Sequence, residues 1–223
     1  HLSKIEKINL FIHNRTKKKF KSWSRNNTAT FFDHDSNIKI DYVITCVKDD
    51  KAVNDILTDE RLLKNLYKKS IIIDHSTISI PQVKKLNTYF LKRNISFYDA
   101  PVTGGEEGAK NACLSSMIGG PPNKLGVIKK LIAVYCNNII HMGKSGSGQL
   151  SKFANQILIC GILISISEAI KFNKTNKLDQ NKFYHAVLNG AAGSWQLTNR
   201  YPTMVKGDFN FGFSSELMAK DLK

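Results

Sequence analysis

Short apolar runs alternate with amphipathic segments along the first part of the chain. The runs are rich in β-branched and aromatic residues and are bounded by turn residues, a pattern typical of buried strands. It predicts strands at Ile8–His13, Tyr42–Val47, Ser70–Asp74, Ile95–Tyr98, Leu114–Ile118 and Asn138–Met142. Because these strands alternate with helical segments, we expect a parallel α/β sheet that is covered by helices on both faces.

The helical segments between these strands carry recognisable start signals. Ser79 is suited to cap a helix, Pro81 is suited to its first turn, and an apolar stripe begins at Val83. Pro121-Pro122 opens another helix, whose apolar face includes Leu125. We therefore predict a helix after each of these two signals.

After His141 the strand pattern stops and only helical patterns follow. A loop with glycines at 143, 146 and 148 leads into helices that we predict at Gln149–Phe172, Asp179–Leu188, Ser194–Met204 and Ser214–Lys223. The predicted domain boundary lies near residue 144. It separates an α/β domain at 1–144 from an all-α domain at 145–223.

The net charge changes this picture little. The 223 residues include 33 Lys+Arg and 18 Asp+Glu, which gives a formal charge of +15. The lysines are scattered, and no dense basic run is interleaved with aromatic residues as in a nucleic-acid-binding surface. We interpret the charge as a solvated surface and expect no nucleic-acid partner. The hydrophobic fraction of 42% indicates a globular rather than a disordered chain.

The cysteines, the histidines and the longest apolar run indicate an ordinary globular interior. The four cysteines lie in apolar runs without a C-x-x-C motif, so we expect buried, reduced thiols at Cys46, Cys113, Cys136 and Cys160. The histidines lack metal-ligand spacing, and we assign no metal. The Ile157–Ile170 run is shorter than a bilayer span, which predicts a buried core helix and no membrane association.

The first segment with candidate chemistry is Asn14-Arg15-Thr16, directly after the Ile8–His13 strand. In a Rossmann-type doubly wound sheet, the end of the second strand contacts the adenosine ribose, where an arginine accommodates a 2′-phosphate. Arg15 therefore favours NADP over NAD; the alternative is a surface arginine at a helix start. No G-x-G-x-x-G motif precedes this strand, so we expect the sheet to lack its first βα unit.

The second segment is the Gly146-Ser147-Gly148 loop with the helix that follows it. Lys152 falls in the first turns of this helix, Gln156 lies on the same face one turn later, and Asn155 is adjacent to that face. A partly buried lysine at a domain junction can act as an acid or a base. The alternative is a surface lysine that keeps its ammonium group in water.

Several motifs follow one another along the chain: Asp74-His-Ser-Thr-Ile78, Asp99-Ala-Pro-Val-Thr-Gly-Gly105, Met117-Ile-Gly-Gly120, Gly146-Ser-Gly-Gln149, Gly193-Ser-Trp195 and Lys220-Asp-Leu222. In this order they resemble the β-hydroxyacid dehydrogenase family, which includes 3-hydroxyisobutyrate dehydrogenase and tartronate semialdehyde reductase. The resemblance implies an NAD(P)-dependent oxidoreductase that interconverts a small 3-hydroxy acid and its semialdehyde. The alternatives are a glyoxylate or succinic semialdehyde reductase and a non-catalytic, nucleic-acid-associated relative.

The resemblance also implies roles for individual residues. Lys152 matches the catalytic lysine, which donates a proton to the carbonyl oxygen during reduction. Thr103, Gly104 and Gly105 match the site of the substrate carboxylate, with Thr103 where relatives usually have Ser. The other substrate-side matches are Asn155, Gln156, Phe213 and Asp221, and the cofactor-side matches are Asn14, Arg15, Thr16, Val47, Lys48, Thr77 and Lys220.

Some positions depart from the family pattern or keep two interpretations. Gln156 stands where relatives often have Asn, and Lys48 stands where relatives have Pro. Trp195 is either a pocket wall or a core residue of its helix. We interpret Gly104-Gly105 as bare backbone beside a substrate carboxylate and Gly119-Gly120 as only a turn after a strand.

The resemblance implies a nicotinamide cofactor, and Arg15 favours NADP with NAD as the alternative. It also implies a small carboxylate as the substrate and a homo-oligomer when the protein is full length. The first strand with its phosphate-binding turn and the last helices of the second domain, which the resemblance leads us to expect, are missing from these 223 residues. We therefore expect this chain, truncated at both ends, to bind a dinucleotide weakly or not at all by itself. The sequence does not distinguish a cytoplasmic from a mitochondrial location.

Overall fold

The structure, a computed structural model, describes residues 1–6, 8–14, 16–32 and 37–223. The predicted cofactor residue Arg15 lies outside this described part. The chain divides into two compact units, His1–Lys152 and Phe153–Lys223, and the division falls inside one long helix. The boundary that the sequence predicts near residue 144 lies in the glycine loop before that helix.

The first unit alternates strands and helices. Its strands are β1 (Phe11–Ile12), β2 (Thr30–Phe31), β3 (Tyr42–Thr45), β4 (Ile71–Asp74), β5 (Ser96–Asp99), β6 (Val102–Thr103), β7 (Leu114–Gly119) and β8 (Cys136–Gly143). Its helices are α1 (Lys17–Trp23), α2 (Asp50–Leu57), α3 (Glu60–Leu63), α4 (Ile80–Leu91), α5 (Gly105–Lys110) and α6 (Leu125–Ile132), and α7 (Ser147–Thr175) begins at its end. All predicted strands occur with shifted ends, and the two-residue strands β2 and β6 are additional to them.

The main sheet is mixed rather than wholly parallel. Strands β3, β4 and β5 pair in parallel, while β7 pairs antiparallel with β5 and β6 and parallel with β8. The expectation of a parallel sheet is therefore wrong at β7. Because β5 and β6 flank Ala100-Pro101 and both pair with β7, the chain returns through α5 as in a hairpin and needs no crossover. Strands β1 and β2 pair in parallel as a separate two-stranded ladder.

Side chains of β4 alternate between two hydrophobic cores, one on each face of the sheet. Ile72 packs in a core with Leu86 of α4, whereas Ile71 and Ile73 pack in a core with Ile128 of α6. Successive side chains of a strand point to opposite faces. Helices therefore cover both faces of the sheet, as the sequence predicts.

The helix start signals of the first unit act as predicted. The Ser79 hydroxyl accepts a hydrogen bond from the Gln82 N–H at 3.3 Å, and Pro81 lies in the first turn of α4. Pro121-Pro122 leads through a short 3-10 helix, Pro122–Lys124, into α6. These local signals fix where the helices begin on each face of the sheet.

The second unit is helical throughout. After α7 it contains α8 (Gln180–Val187), α9 (Trp195–Lys206) and α10 (Ser215–Asp221). Asp179, Ser194 and Ser214 each accept a backbone N–H in the first turn of the helix that they precede. Its core is formed by Ile166, Ile170, Leu197 and Tyr201. An α/β region followed by helices confirms the predicted fold class.

The second part of α7 is not the buried core helix that the sequence predicts. Ile157, Leu158, Ile164 and Phe172 are exposed, and only 17% of the most apolar stretch of α7 is buried. The helix extends beyond the apolar run at both ends, and it is long and apolar enough, by length and composition, to cross a membrane. The expectation that this segment is too short to span a bilayer therefore fails. In the described part of this unit, α9 packs against the α7 face that carries Ile166.

The cysteines differ from the expected set of buried thiols. All four are free, but Cys46 and Cys113 are exposed, Cys160 is half-buried, and only Cys136 is buried. Cys46 follows the end of β3, and Cys113 directly precedes β7. Both exposed residues therefore lie just outside the strands, where the apolar pattern does not ensure burial.

Candidate active site

The carboxyl ends of β3, β4 and β5 bring three polar residues together at one edge of the sheet. Thr45 is registered with Asp74, and Asp74 is registered with Asp99. The Thr45 hydroxyl donates to Asp74 Oδ1 at 2.8 Å. The carboxyl groups of Asp74 and Asp99 are fully buried. Ligands of open α/β sheets bind outside this edge, so the edge is the place to look for a site.

Two segments predicted to contact a cofactor meet at this edge. The Val47 N–H donates to the Ser76 hydroxyl at 2.9 Å, and the Ser76 N–H donates to Asp74 Oδ1 at 3.0 Å. Thr77 follows Ser76 and is half-buried, while Lys48 is exposed. The structure thus places Val47 and Thr77 on adjoining loops.

The Asp99 carboxylate binds the first turn of α7. Its Oδ1 accepts from the Gly146 N–H at 2.7 Å, and its Oδ2 accepts from the Gln149 N–H at 3.0 Å. A carboxylate is stabilised there because the N-terminus of a helix carries unpaired N–H groups and partial positive charge. The start of α7 is therefore fixed to the end of β5.

Glycines make this close approach possible. A Cβ on Gly148 would lie 2.6 Å from the Asp99 carbonyl oxygen, and a Cβ on Gly119 would lie 2.6 Å from Asp99 Oδ1. Gly120 has φ +147°, and a Cβ there would collide with the Tyr98 ring. The interpretation of Gly119-Gly120 as only a turn is therefore wrong, because Gly119 is a strand residue against which the helix start packs.

Gln149 connects the same helix turn to the loop after β4. Its side-chain Nε2 donates to the Ser76 carbonyl at 2.7 Å, and its Oε1 accepts from the Ile78 N–H at 3.3 Å. The side chain is fully buried. The amide thus spans the backbone on both sides of Thr77.

Lys152 lies one helix turn after Gln149 and is 8% exposed. Although part of Cys46 is exposed, desolvation raises the pKa of its thiol, the Asp74 carboxylate raises it further, and the Lys152 ammonium lowers it. The positive charge of Lys152 therefore acts electrostatically on the residue that follows β3. A surface lysine that reaches into water does not describe this side chain.

Asp74 is a titrating group that the sequence motifs do not reveal. Burial raises the pKa of its carboxyl to about 6, hydrogen bonds from Ser76 and Thr45 lower it, and the neighbouring Asp99 raises it. Burial also raises the pKa of Asp99, although the N–H groups of α7 oppose that rise. An Asp directly after the buried run of β4 was the available signal.

Thr103, Gly104 and Gly105 follow β5 along the chain, after Pro101. Thr103 is half-buried and pairs with Ser115 of β7. Gly104 and Gly105 are exposed and have φ values of +128° and +64°, which favour glycine. A Cβ on Gly105 would meet no atom within 4 Å, so its backbone conformation rather than crowding calls for glycine. The two glycines of the segment therefore present exposed backbone.

The segment after β1 borders a cavity of about 320 Å³. Ile12, Asn14, Lys19, Phe20 and Trp23 line it. Asn14 Oδ1 accepts from the Thr16 N–H at 3.1 Å, which holds the turn between the strand and α1. Lys19 is not among the cofactor residues predicted from the sequence, although its position at the start of a helix after the strand is visible there.

Most of the residues predicted in the second unit form a polar cluster around the buried Gln156 and Asp221, and Phe213 is the exception. Gln156 Nε2 donates to Asp221 Oδ2 at 2.8 Å, and Asn155 Nδ2 donates to Gln156 Oε1 at 3.0 Å. Lys220 Nζ lies 2.9 Å from Asp221 Oδ1. Phe213, in contrast, is 54% exposed.

Trp195 is not a core residue of its helix. It is 55% exposed, and the Arg200 guanidinium lies 5.2 Å from the centre of its ring. Of its two interpretations, burial within the helix core is therefore wrong.

Comparison with known proteins covers nearly the whole chain. Residues 4–143 match a profile described as the NAD binding domain of 6-phosphogluconate dehydrogenase. Residues 146–223 match a profile described as NAD-binding of NADP-dependent 3-hydroxyisobutyrate dehydrogenase. The chain belongs to the β-hydroxyacid dehydrogenase family. The resemblance drawn from its motifs is confirmed.

Individual β-hydroxyacid dehydrogenase relatives agree with this assignment. The chain is 37% identical over 183 residues to an uncharacterised oxidoreductase of Shewanella frigidimarina, covering 82% of this chain and 63% of that protein. It is 33% identical over 189 residues to the mitochondrial 3-hydroxyisobutyrate dehydrogenase of Drosophila melanogaster, covering 82% and 58%. A structure of Mycobacterium tuberculosis 3-hydroxyisobutyrate dehydrogenase with L-serine matches with a TM-score of 0.81 at 25% identity, over 94% of this chain and 74% of that one. The chain thus spans less than two thirds of the length of these two curated relatives.

Proposed function

We propose that the full-length protein is an NAD(P)-dependent oxidoreductase that interconverts a small 3-hydroxy acid and its semialdehyde. The observation that carries the proposal is the buried position of Lys152, whose positive charge lowers the pKa of Cys46 at the carboxyl edge of the sheet. The relative solved with L-serine adds support, because serine is itself a small acid with a 3-hydroxyl group.

The residues at the sheet edge fit a nicotinamide cofactor. The Val47 backbone and the Ser76–Ile78 loop are held together by hydrogen bonds at the ends of parallel strands, where α/β folds bind dinucleotides. When bound, the cofactor supplies or accepts the hydride. Val47, Lys48 and Thr77 are the residues that we assign to its nicotinamide side.

Lys152 is the residue that we assign to proton transfer. During reduction its ammonium group donates a proton to the carbonyl oxygen of the substrate, and during oxidation the neutral amine assists removal of the hydroxyl proton. The positive charge opposes the negative charge that develops on this oxygen, so the interaction is stronger in the transition state than in the ground state. Burial strengthens the effect, because little water surrounds the ammonium.

Thr103, Gly104 and Gly105 are the residues that we assign to the substrate carboxylate. The Thr103 hydroxyl and the exposed N–H groups of the two glycines are hydrogen-bond donors, and the glycines add no side chain that would block an approaching anion. Within the second unit, Asp221 orients the Gln156 amide by a hydrogen bond. We retain Asn155, Gln156, Phe213 and Asp221 as substrate-side candidates and Lys220 as a cofactor-side candidate.

We also propose NADP as the preferred cofactor. Arg15 supplies the charge that a 2′-phosphate needs, and Lys19 lines the cavity beside Asn14. We expect Arg15→Asp to reverse the preference towards NAD and Lys19→Ala to reduce kcat/KM for NADPH more than for NADH. The control is Lys18→Ala, which changes an exposed neighbouring lysine outside the cavity lining. Equal losses with both cofactors for Arg15→Asp would contradict the preference.

The activity is tested by oxidation of NADPH with a panel of small aldehyde acids: the aldehyde formed by oxidation of 3-hydroxyisobutyrate (methylmalonate semialdehyde), tartronate semialdehyde, succinic semialdehyde and glyoxylate. We expect turnover of at least one member and a loss of about 10²- to 10⁴-fold in kcat for Lys152→Ala, the usual contribution of a general acid. Lys144→Ala, at an exposed lysine of the glycine loop, is the control. Absence of turnover on the whole panel would overturn the proposal.

A further inference from the structure

The start of α7 has almost no freedom to shift against the sheet. The Asp99 carboxylate holds two of its N–H groups at 2.7 and 3.0 Å. The backbone at Gly148 also packs so closely on the end of β5 that a single Cβ would overlap the Asp99 carbonyl. These contacts fix the axial position of the helix start. The Ser76–Ile78 loop is held separately, by hydrogen bonds from the Val47 N–H to the Ser76 hydroxyl and from the Ser76 N–H to Asp74.

Gln149 connects the helix start directly to this loop. Its amide donates to the Ser76 carbonyl and accepts from the Ile78 N–H, and so it binds the loop on both sides of Thr77. Residues 149 and 152 are three apart on one helix and therefore neighbours on its surface. One buried side chain thus joins the turn that carries Lys152 to the loop that carries Thr77.

We propose that Gln149 is a positioning residue for the reaction, fixing the Lys152 ammonium relative to the loop assigned to the nicotinamide side. The proposal rests on the proposed function, since it assumes the roles given there to Lys152 and Thr77. A displacement of about 1 Å between reacting groups can cost about 100-fold in rate. A rigid link between the two groups therefore has a direct catalytic consequence.

The chemistry of the amide suits this task better than that of related side chains. The primary amide offers both a donor to the Ser76 carbonyl and an acceptor to the Ile78 N–H from one planar group. Methionine has a similar length but loses both hydrogen bonds. Glutamate keeps the acceptor for Ile78 but directs a second oxygen at the Ser76 carbonyl.

The test uses the full-length protein with NADPH and the best semialdehyde of the panel. We expect Gln149→Met to lower kcat by about 100-fold, with a smaller change in the substrate KM. We also expect a larger deuterium isotope effect from NADPH labelled at the transferred hydrogen, because misalignment slows the chemical step. Gln149→Glu, which directs a carboxylate oxygen at the Ser76 carbonyl, should also lower kcat. Leu150→Ala, at the adjacent exposed residue, should match wild type.

A double-mutant cycle separates positioning from a general loss of structure. In the Lys152→Ala background we expect Gln149→Met to have no further effect, since there is no ammonium left to position. If Gln149→Met slows Lys152→Ala by the same factor as wild type, or if both Gln149 variants have wild-type kcat, the inference is wrong. If wild type turns over no substrate or does not depend on Lys152, the proposed function itself has failed.

Discussion

The buried carboxyl of Asp74 connects the stability of the fold to pH at the residue scale. Its pKa is raised to about 6 in the folded protein, so the folded state keeps a proton that the unfolded state has already lost. Stability is therefore greatest at low pH with respect to this group, and it falls as pH rises from about 4 through about 6. The penalty is complete above that range and amounts to about 3 kcal/mol.

We expect Asp74→Asn to remove this pH dependence. The free energy of unfolding of the variant minus that of wild type should increase by about 3 kcal/mol from pH 4 to pH 7, because only wild type loses stability over this range. Any hydrogen bond lost with the carboxylate adds only a pH-independent offset. Urea unfolding across this range measures the difference, with Asp208→Asn at an exposed aspartate as the control. A constant difference between Asp74→Asn and wild type would contradict the raised pKa.

Some residues of the candidate site are visible in the sequence and others are not. Lys152 and Thr103-Gly104-Gly105 stand out because their motifs occur in the order of a known family. Gln149 and Asp99 belong to the same motifs, but their hydrogen bonds join residues far apart in sequence, such as Gln149 and Ser76. Such contacts follow from the packing of α7 on the sheet, which no local pattern encodes.

At the element scale, the start and the middle of α7 make opposite demands on glycine. Gly148 lies against the backbone of β5 and β7, whereas a Cβ on Gly161 would meet no atom within 4 Å. We expect Gly148→Ala to destabilise the protein by about 3 kcal/mol through overpacking. Gly161→Ala is the matched control in the same helix, and it should stabilise by about 1 kcal/mol. Chemical unfolding of the two variants measures both effects, and equal effects would show that close packing at Gly148 is not important.

The pattern of the sequence predicts helices better than strand directions. Ser79 and Pro81 encode the start of α4 locally, as do Asp179 and Ser194 for later helices. The antiparallel pairing of β7 is not encoded in this way, because it depends on how the chain passes Pro101 and returns through α5. The exposure of the second part of α7 is likewise a matter of how many helices pack around it.

At the scale of the whole molecule, the exposed apolar residues of α7 support the proposal that the full-length protein is a homo-oligomer. Such residues are stabilised when they are buried against other apolar surface. We expect light scattering of the full-length protein to give a multiple of the subunit mass, and Ile157→Lys with Leu158→Lys to reduce it. Asn176→Lys, which adds charge at an exposed residue just after α7, is the control. A monomeric wild-type protein would contradict the proposal.

The most direct test of the proposed function is the rate of hydride transfer in a single turnover. Full-length enzyme with bound NADPH is mixed with a semialdehyde that wild type reduces, and the loss of NADPH absorbance is followed. We predict that Lys152→Ala lowers this rate by at least about 100-fold while the affinity for NADPH changes little. A Lys152→Ala protein that transfers hydride at the wild-type rate would contradict the role assigned to this lysine.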